Sequence, residues 1–399
     1  MIDIIDLKKC CGCGSCIQRC PKQCISMRID NEGFWYPDVD HYRCIDCGLC
    51  EKVCPCLQDL RNKEPQQVYA AITNNENLRQ NSSSGGVFSL LALKVLKDGG
   101  VVAGAAFTTK WQVHMVCIKS ADELWRLQGS KYVQADTCNT FCEVEKFLKE
   151  GRTVLYSGTP CQIKALKLFL KKYYENLYAV DVACHGVPSP GVWQDYLDEI
   201  SKNALKTVCG KSAELSSIDT MSLIKDIKFR EKSLGWRKYR IVFDIAKSSG
   251  NGKSELSSIH YDNPFFRAFN SSLIIRPSCT FCPAKHGNSN SDLTIGDYWG
   301  IENVAPEIDD NKGVSLVLVN SIKGKFLLNS VDIKLVESCY EDAIKCNAGI
   351  RESTKFHEKR EVFFQNYKKK KSISSYMQRI LHQSLLQRVM NFIYRRVKI

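Results

Sequence analysis

The sequence lacks the long apolar runs of a membrane protein. None of its 399 residues lies in a stretch approaching the roughly 18 apolar residues that a spanning helix requires, and the longest runs, such as Val314–Val319, have strand length. Met1–Leu7 is too short and too acidic for the apolar region of a secretory signal. We therefore expect a cytoplasmic protein, with a peripheral position at the inner membrane surface as the second expectation.

The sequence also lacks two common nucleotide-binding loops. It has neither the glycine-rich phosphate loop that ends in lysine and a hydroxyl residue nor a GxGxxG dinucleotide loop. Cysteine, in contrast, is abundant, with 21 residues. A disulfide scaffold does not suit a long chain without a secretory signal, so we expect most of these thiols to be reduced.

One cysteine pattern occurs twice near the N-terminus. The sequence reads Cys10-x2-Cys13-x2-Cys16-x3-Cys20-Pro21, and the same spacing returns from Cys44 to Pro55. In such runs three thiolates bind one 4Fe–4S cluster and the fourth reaches the other cluster. A zinc site would use two CxxC pairs and would leave the third spaced cysteine and both prolines unexplained. The predicted ligand sets are Cys10, Cys13, Cys16 and Cys54 for one cluster, and Cys44, Cys47, Cys50 and Cys20 for the other.

The remaining cysteines of this region are predicted to be small buried residues and not ligands. They are Cys11, Cys24 and Cys56. Between the two runs, a strand ending at Ile29, a turn at Asn31–Gly33 and a return strand at Phe34–Val39 predict a hairpin. We expect a two-cluster ferredoxin domain over residues 1–62, followed by a polar linker.

A serine- and glycine-rich turn opens directly into an apolar helix after the linker. Ser83, Ser84, Gly85 and Gly86 precede this helix, and its N-terminus would favour phosphate oxygens. An ordinary helix cap is the alternative. Further along, Gly129–Tyr132 could present a hydroxyl, a cation and an aromatic ring to a ligand, or could be a solvated turn.

Two strand–turn–helix units predict a parallel sheet. The first strand ends at Gly158-Thr159-Pro160-Cys161, and the second, Leu177–Ala183, runs into Cys184 and His185. Both cysteines lie at the carboxyl edge of strands, where open parallel sheets bind ligands. They could be nucleophiles, structural residues or metal ligands.

A later CxxC pair raises the number of candidate inner ligands to four. Cys279 and Cys282, added to Cys161 and Cys184, supply the thiolates of a third 4Fe–4S cluster, with a four-sulfur zinc site as the alternative. The alternating segments 227–230 and 239–245 predict an antiparallel strand pair beside the sheet. The fold class is thus an α+β ferredoxin-like module, then an α/β domain with a mostly parallel sheet and added antiparallel strands, and a helical tail.

The net charge of +13 is concentrated in the C-terminal segment, where residues 351–399 contain 13 Lys or Arg and 3 Asp or Glu. An amphipathic helix is predicted near Ser374–Val397. It could dock on a membrane surface or another subunit, or pack on its own domain behind a solvated lysine run. Nothing in the rest of the sequence leads us to expect nucleic-acid binding.

The joint pattern resembles a known family. Ser83–Gly86, Gly158–Cys161, the segment Cys184–Pro190, Cys279-x2-Cys282 and Ile295–Gly300 occur in the order typical of the beta subunit of coenzyme F420 hydrogenases and dehydrogenases. The resemblance implies domains at residues 66–150 and 151–365, the N- and C-terminal parts of the subunit, with a basic helical tail at residues 366–399. The sequence departs from the hydrogenase subunits in its fused ferredoxin module and its basic tail. No nickel-binding subunit is present in the chain.

The resemblance also implies cofactors and site residues. Family members are flavoproteins with an iron–sulfur cluster beside FAD, so FAD is expected at the Ser83–Gly86 turn, with Ser130, Lys131, Gly158 and Thr159 as flavin neighbours. It supports Cys161, Cys184, Cys279 and Cys282 around the inner cluster. His185 and Asp297 are the candidates for proton handling, and the alternatives are steric orientation for His185 and a turn cap for Asp297.

We therefore expect an oxidoreductase that depends on FAD and 4Fe–4S clusters. Electrons would pass between the ferredoxin clusters, the inner cluster and FAD, and then to deazaflavin F420 or another small molecule, with a link to polysaccharide biosynthesis as one option. The alternative hypothesis is a non-catalytic electron-transfer subunit that docks to a redox partner protein through its tail.

Overall fold

The N-terminal module contains one hairpin and two short helices. The structure is a computed structural model, and it describes residues 2, 6–60, 64–209, 220–246 and 253–382. Strands β1 (Ile25–Ile29) and β2 (Trp35–Val39) pair antiparallel, as predicted. The helices α1 (Ser15–Arg19) and α2 (Leu49–Lys52) contact each other. Their packing brings the two cysteine runs side by side.

The rest of the described chain alternates strands and helices. The strands are β3 (Gln67–Thr73), β4 (Val101–Phe107), β5 (Val113–Ile118), β6 (Val154–Gly158), β7 (Leu177–Val182), β8 (Ile224–Glu231), β9 (Arg240–Ala246), β10 (Lys253–Ile259), β11 (Leu293–Asp297), β12 (Ser315–Val319) and β13 (Ile333–Ser338). The helices are α3 (Glu76–Gln80), α4 (Val87–Lys97), α5 (Thr140–Lys149), α6 (Pro160–Leu170), α7 (Pro190–Cys209), α8 (Pro264–Asn270), α9 (Ile322–Asn329), α10 (Tyr340–Lys345), α11 (Arg360–Asn366) and α12 (Ile373–Ile380).

Eight strands form one mixed sheet in the order β13-β3-β12-β11-β7-β6-β4-β5. The predicted parallel centre is present, because β11, β7, β6 and β4 pair parallel to one another. The other pairings are antiparallel. Parallel strands present their carboxyl ends at the same edge, so the turns after β6, β7 and β11 are neighbours there.

A separate sheet of three antiparallel strands, β10-β9-β8, includes the predicted pair. The sequence interpretation missed β10, whose residues Lys253–Ile259 are rich in serine and polar side chains. Such composition disfavours a strand by intrinsic propensity, and pairing with β9 along its whole length overrides it.

The first part of the predicted tail helix packs on the body of the protein. α12 contacts α7 and α8, and Tyr367, Met377 and Leu381 are buried in the same apolar cluster as Trp193. For the described part of the tail, this contact agrees with the expectation that the helix packs on its own domain. Residues 383–399 of the predicted helix lie outside the described residues. No helix among the described residues is long and apolar enough to cross a membrane.

Candidate functional site

The thiols of the first cysteine set lie together in the N-terminal module. The Cys16 thiol interacts electrostatically with those of Cys13 and Cys10, and burial raises its pKa well above the usual range. The Cys54 thiol interacts with that of Cys13. The structure therefore brings the fourth cysteine of the second run to the first run, as the ligand pattern requires.

The second set lines one small cavity of about 20 Å³. Its cysteines are Cys20, Cys44, Cys47 and Cys50, and the same cavity is lined by Cys24. The helices that carry Cys16 and Cys50 each follow a left-handed glycine, Gly14 at φ 68° and Gly48 at φ 67°. Glycine adopts this conformation without strain, which lets each run turn around a central group.

The three cysteines left out of the ligand sets are closer to them than expected. Cys11 and Cys24 are buried, as predicted, and Cys56 is half-buried. However, Cys24 Sγ lies 3.4 Å from Cys20 Sγ. The Cys11 thiol hydrogen-bonds with the thiols of Cys13, Cys161 and Cys56, and these contacts raise its pKa. Cys11 therefore stands between the N-terminal module and the inner cysteines.

The four inner cysteines converge from three separate segments. Cys161 lies in the first turn of α6 after β6, Cys184 follows β7, and the other two lie on a short helical turn at 277–281 and at its end. The thiol of Cys279 interacts with those of Cys184, Cys161 and Cys282. Burial raises the pKa of Cys184 to about 12 and that of Cys282 to about 11. Burial also raises the pKa of Cys279, whereas hydrogen bonds, first of all the one with Cys11, lower the pKa of Cys161 to about 7. A metal centre at this site would bind all four as thiolates.

Three buried cations surround the inner thiols. Lys164 is fully buried and donates to the carbonyl of Pro283 (2.8 Å). Lys285 donates to the carbonyl of Cys184 (2.7 Å), and Arg276 is fully buried next to Cys279. A 4Fe–4S cluster with four thiolate ligands carries net negative charge, so these cations fit an anionic metal–thiolate centre.

A large cavity joins the inner cysteines to the serine- and glycine-rich turn. Its volume is about 430 Å³. Among the residues predicted to bind cofactor or to handle protons, Gly85 alone is absent from its wall. The wall contains Ser83, Ser84, Gly86, Ser130, Lys131, Gly158, Thr159, His185 and Asp297, together with Cys161 and Cys184.

The helix after the turn points its N-terminus at this cavity. Gly86 is the N-cap of α4 with φ 90°, and no side chain of the described residues caps the first backbone N–H groups. Ser83 Oγ lies 2.9 Å from Ser130 Oγ, which joins the predicted phosphate-binding turn to the predicted ligand-contacting segment Gly129–Tyr132. The arrangement supplies free N–H donors of the kind that bind phosphate.

Gly85 has a packing role that the sequence interpretation did not foresee. A Cβ atom at Gly85 would lie 2.2 Å from the carbonyl oxygen of Ala71 on β3. The missing side chain thus allows the turn to approach the sheet, where Gly85 N donates to Ser315 Oγ (2.9 Å). Gly85 was predicted as part of the phosphate-binding turn, and the structure shows that it gives room to a strand.

The two candidates for proton handling have different surroundings. His185 Nε2 lies 2.9 Å from Ser272 Oγ, and burial lowers its pKa. Both oxygens of Asp297 accept from Arg230, at 2.7 and 3.1 Å, and Oδ1 also accepts from Trp236 Nε1 (2.8 Å). Among the described residues, the hydrogen bonds that the Asp297 carboxylate accepts come from the side chains of Arg230 and Trp236, so Asp297 holds Arg230 in place.

Arg230 is a cavity residue that the sequence interpretation missed. It also donates to Tyr132 Oη (3.0 Å) and to the carbonyl of Ser83 (3.2 Å), and its guanidinium lies 4.0 Å from the ring centre of Tyr239. Its Nε is buried and has no hydrogen-bond partner among the described residues. The alternating pattern of β8 indicated a strand but gave no sign that Arg230 would face a ligand cavity, because its partners lie far away in sequence.

Lys232 hydrogen-bonds to the backbone around the Ser83–Gly86 turn. Its Nζ donates to the carbonyls of Arg79 and Lys312, both at 2.8 Å, and burial lowers its pKa to about 8. Together with Arg230, this lysine makes the surroundings of the Ser83–Gly86 turn cationic. That charge favours an anionic ligand.

Models of known protein families match most of the chain. Residues 68–140 match the model for the N-terminal part of the coenzyme F420 hydrogenase/dehydrogenase beta subunit, and residues 151–339 match the model for its C terminus. Residues 9–57 and 43–89 each match a model for a 4Fe–4S dicluster domain. These matches confirm the family resemblance and the iron–sulfur character of the N-terminal module.

Individual relatives are more distant. One subunit of the F(420)H(2) dehydrogenase of Methanosarcina mazei is 26% identical over 188 residues, which are 45% of this chain and 53% of that protein. A ferredoxin of Methanocaldococcus jannaschii is 40% identical over 53 residues, 13% of this chain and 66% of that protein. A chain of the F420-reducing NiFe hydrogenase complex from Methanosarcina barkeri is 13% identical with a TM-score of 0.43, covering 72% of this chain and 91% of that chain. The chain thus spans about half the length of the dehydrogenase protein that it matches.

Proposed function

Since the chain belongs to the coenzyme F420 hydrogenase/dehydrogenase beta-subunit family, we propose that it is an iron–sulfur flavoprotein oxidoreductase. Its function is to move electrons between 4Fe–4S clusters and FAD, and between FAD and a two-electron organic partner. The observation that carries this proposal is the common cavity, whose wall holds both the inner cysteines Cys161 and Cys184 and the Ser83–Gly86 turn.

The cavity suits FAD at its polar end. The open N-terminus of α4, the paired hydroxyls of Ser83 and Ser130, and the Nε of Arg230, which has no partner among the described residues, offer donors to a diphosphate. Tyr239 and Trp299 supply aromatic walls for a planar ring. FAD, when bound, supplies a group that accepts electrons one at a time and gives them up in pairs. The chain's own contribution is to bind this group, orient it and exclude water.

The proposed metal ligands are the three cysteine sets predicted from the sequence. The thiols of each N-terminal set lie close together in the module, and two members of the inner set, Cys161 and Cys184, line the cavity. Cys47 is exposed, whereas the four inner cysteines are half-buried. This difference in exposure favours the exchange of electrons with a redox partner protein near Cys47 and with a small molecule in the cavity.

The proposed small molecule is deazaflavin F420, because the relative from Methanosarcina mazei belongs to an F(420)H(2) dehydrogenase. In this proposal Asp297 is a positioning residue that holds Arg230 toward the ligand, and His185 is the candidate proton carrier. A link to polysaccharide biosynthesis, docking through the tail and attachment to a membrane surface stay hypotheses. The domain boundaries proposed from the sequence are retained, except that residues 367–381 pack with the body.

Anaerobic purification with cofactor analysis tests the proposed function. We expect about one FAD and about 12 iron atoms per chain, the number for three four-iron clusters. Reduced F420 or reduced ferredoxin, added to this sample, should bleach the flavin absorbance. Zinc without acid-labile sulfide, together with no flavin, would contradict the proposal.

The pH dependence of FAD binding tests the role of Lys131. This lysine lines the cavity, and burial lowers its pKa to about 7. A bound diphosphate favours the protonated lysine, so FAD affinity should be highest below pH 7 and should fall as the pH rises above it. The fall should approach about tenfold per pH unit, the limit for the loss of one proton. Fluorescence titration from about pH 6 to pH 9 measures it.

Two variants serve as controls for the lysine. Lys131→Met should bind FAD more weakly at low pH and should lose the pH dependence around pH 7, below the range in which Lys232, with a pKa of about 8, loses its charge. Lys131→Arg, which stays charged throughout the range, should remove the pH dependence while keeping tight binding. A wild-type pH profile that persists in the methionine variant would show that another group titrates.

A further inference from the structure

Arg276 is a fully buried cation between two groups of cysteines. Its Nε donates to the carbonyl of Cys10 (2.7 Å), which belongs to the first ferredoxin set. Its charge also acts on the thiols of Cys11 and Cys279, the latter an inner cysteine only three residues further along the chain. Arg276 therefore contacts the N-terminal module through its guanidinium and the inner site through its backbone carbonyl, which accepts from the N–H of Cys279 (3.1 Å).

The partners of Arg276 among the described residues leave its charge without a carboxylate. Besides Cys10, the guanidinium donates to Gln134 Oε1 (3.0 Å) and to the carbonyl of Trp35 (2.7 Å). It lies 4.4 Å from the ring centre of Tyr36. The surrounding contacts are neutral oxygens and an aromatic face, and the other interacting groups are thiols and a phenol.

The chain is shaped to keep the guanidinium in this place. Gly12 has φ 65°, and a Cβ atom there would lie 2.8 Å from Arg276 Nη1. The glycine between Cys11 and Cys13 thus leaves the space that the guanidinium fills. A buried charge with only neutral partners is unfavourable unless an opposite charge lies near. Thiolate-bound metal centres at the first ferredoxin set and at the inner set would supply that charge.

We propose that Arg276 raises the reduction potentials of the first ferredoxin centre and the inner centre relative to the second ferredoxin centre. The inference rests on the proposed function, since it needs clusters at these cysteines. Reduction of a 4Fe–4S centre adds one electron, which makes the centre more negative by one unit. A fixed buried cation favours the reduced form through its charge. The effect falls on the two centres that Arg276 adjoins.

A redox titration monitored by electron paramagnetic resonance tests the inference in the full-length holoprotein. We expect Arg276→Gln to lower the ratio of reduced to oxidised protein at the two adjacent centres about tenfold at a fixed solution potential, equivalent to about 59 mV for one electron. The second ferredoxin centre should keep its potential. The signal lost in the Cys184→Ser chain belongs to the inner centre, and the signal lost in the Cys47→Ser chain belongs to the second ferredoxin centre. Arg276→Lys, which retains the charge, should recover most of the shift.

The double variant Arg360→Gln with Glu32→Gln is the matched control. Arg360 is also a buried arginine that ties the N-terminal module to the body, through Glu32 (2.9 Å) and the carbonyl of Ile275. Because the double variant removes both members of this ion pair, the net charge is unchanged, and all three potentials should be unchanged. Full iron content with unshifted potentials in Arg276→Gln, or an equal shift of all three centres, would overturn the role of Arg276. About eight iron atoms in the wild-type chain would instead overturn the inner cluster, and this inference with it.

Discussion

Replacement of Cys184 by serine is expected to lower the iron content from about 12 to about 8 atoms per chain. The change should also abolish the bleaching of flavin by reduced ferredoxin. Cys184 follows β7 and lines the cavity, and its thiol interacts with those of Cys161 and Cys282. Serine cannot replace a buried thiolate ligand, so the inner centre should not assemble. Iron and sulfide analysis, followed by stopped-flow absorbance, measures both effects.

Cys339→Ser is the control for this experiment. Cys339 is exposed and caps α10, where its Sγ accepts from the backbone N–H of Asp342 (3.4 Å). Serine is a favoured residue at such a position, so iron content and flavin reduction should be unchanged. Retention of all the iron by the Cys184→Ser chain would mean that Cys184 is not a ligand. Loss of zinc in place of iron would favour the four-sulfur zinc site.

The second large effect is expected at the pair formed by Arg230 and Asp297. Their side chains are 2% and 16% exposed, and removal of one partner leaves a buried charge uncompensated. Arg230→Met should therefore lower the free energy of unfolding by about 3–5 kcal/mol. Anaerobic denaturation with urea measures the change. The variant should also bind FAD more weakly, because the donors that adjoin the Ser83–Gly86 turn are lost.

The double variant Arg230→Met with Asp297→Asn separates charge from packing. It should recover part of the lost stability, since the asparagine no longer carries an unpaired charge, but it should not recover FAD binding. Arg240→Met on the neighbouring strand β9 is the matched control. Arg240 pairs with Glu231 at 2.8 Å in a more exposed position, so its loss should change stability by about 1 kcal/mol or less. An equally small effect of Arg230→Met would contradict the importance of the buried pair.

The sequence by itself determined the chemistry of the ligands. Thiolate clusters depend on short, fixed spacings, and the two runs from Cys10 to Pro55 carry those spacings in the chain itself. The parallel centre of the sheet was also predictable, because strand–turn–helix units are encoded in local hydrophobic patterns. The turns at Gly158–Cys161 and after β7 were predicted at the carboxyl edge, and β6 and β7 are neighbours there.

Only the tertiary structure decided what surrounds those ligands. Arg230 meets Ser83 and Asp297 across gaps of many residues, and Arg276 meets Cys10 across most of the described chain. No local pattern encodes such contacts, since they arise from the packing of separate segments. The same reason explains why Gly85 serves strand packing and why the start of the tail helix is buried. Spacing along the chain selects the metal ligands, whereas the folded arrangement places the charges around them.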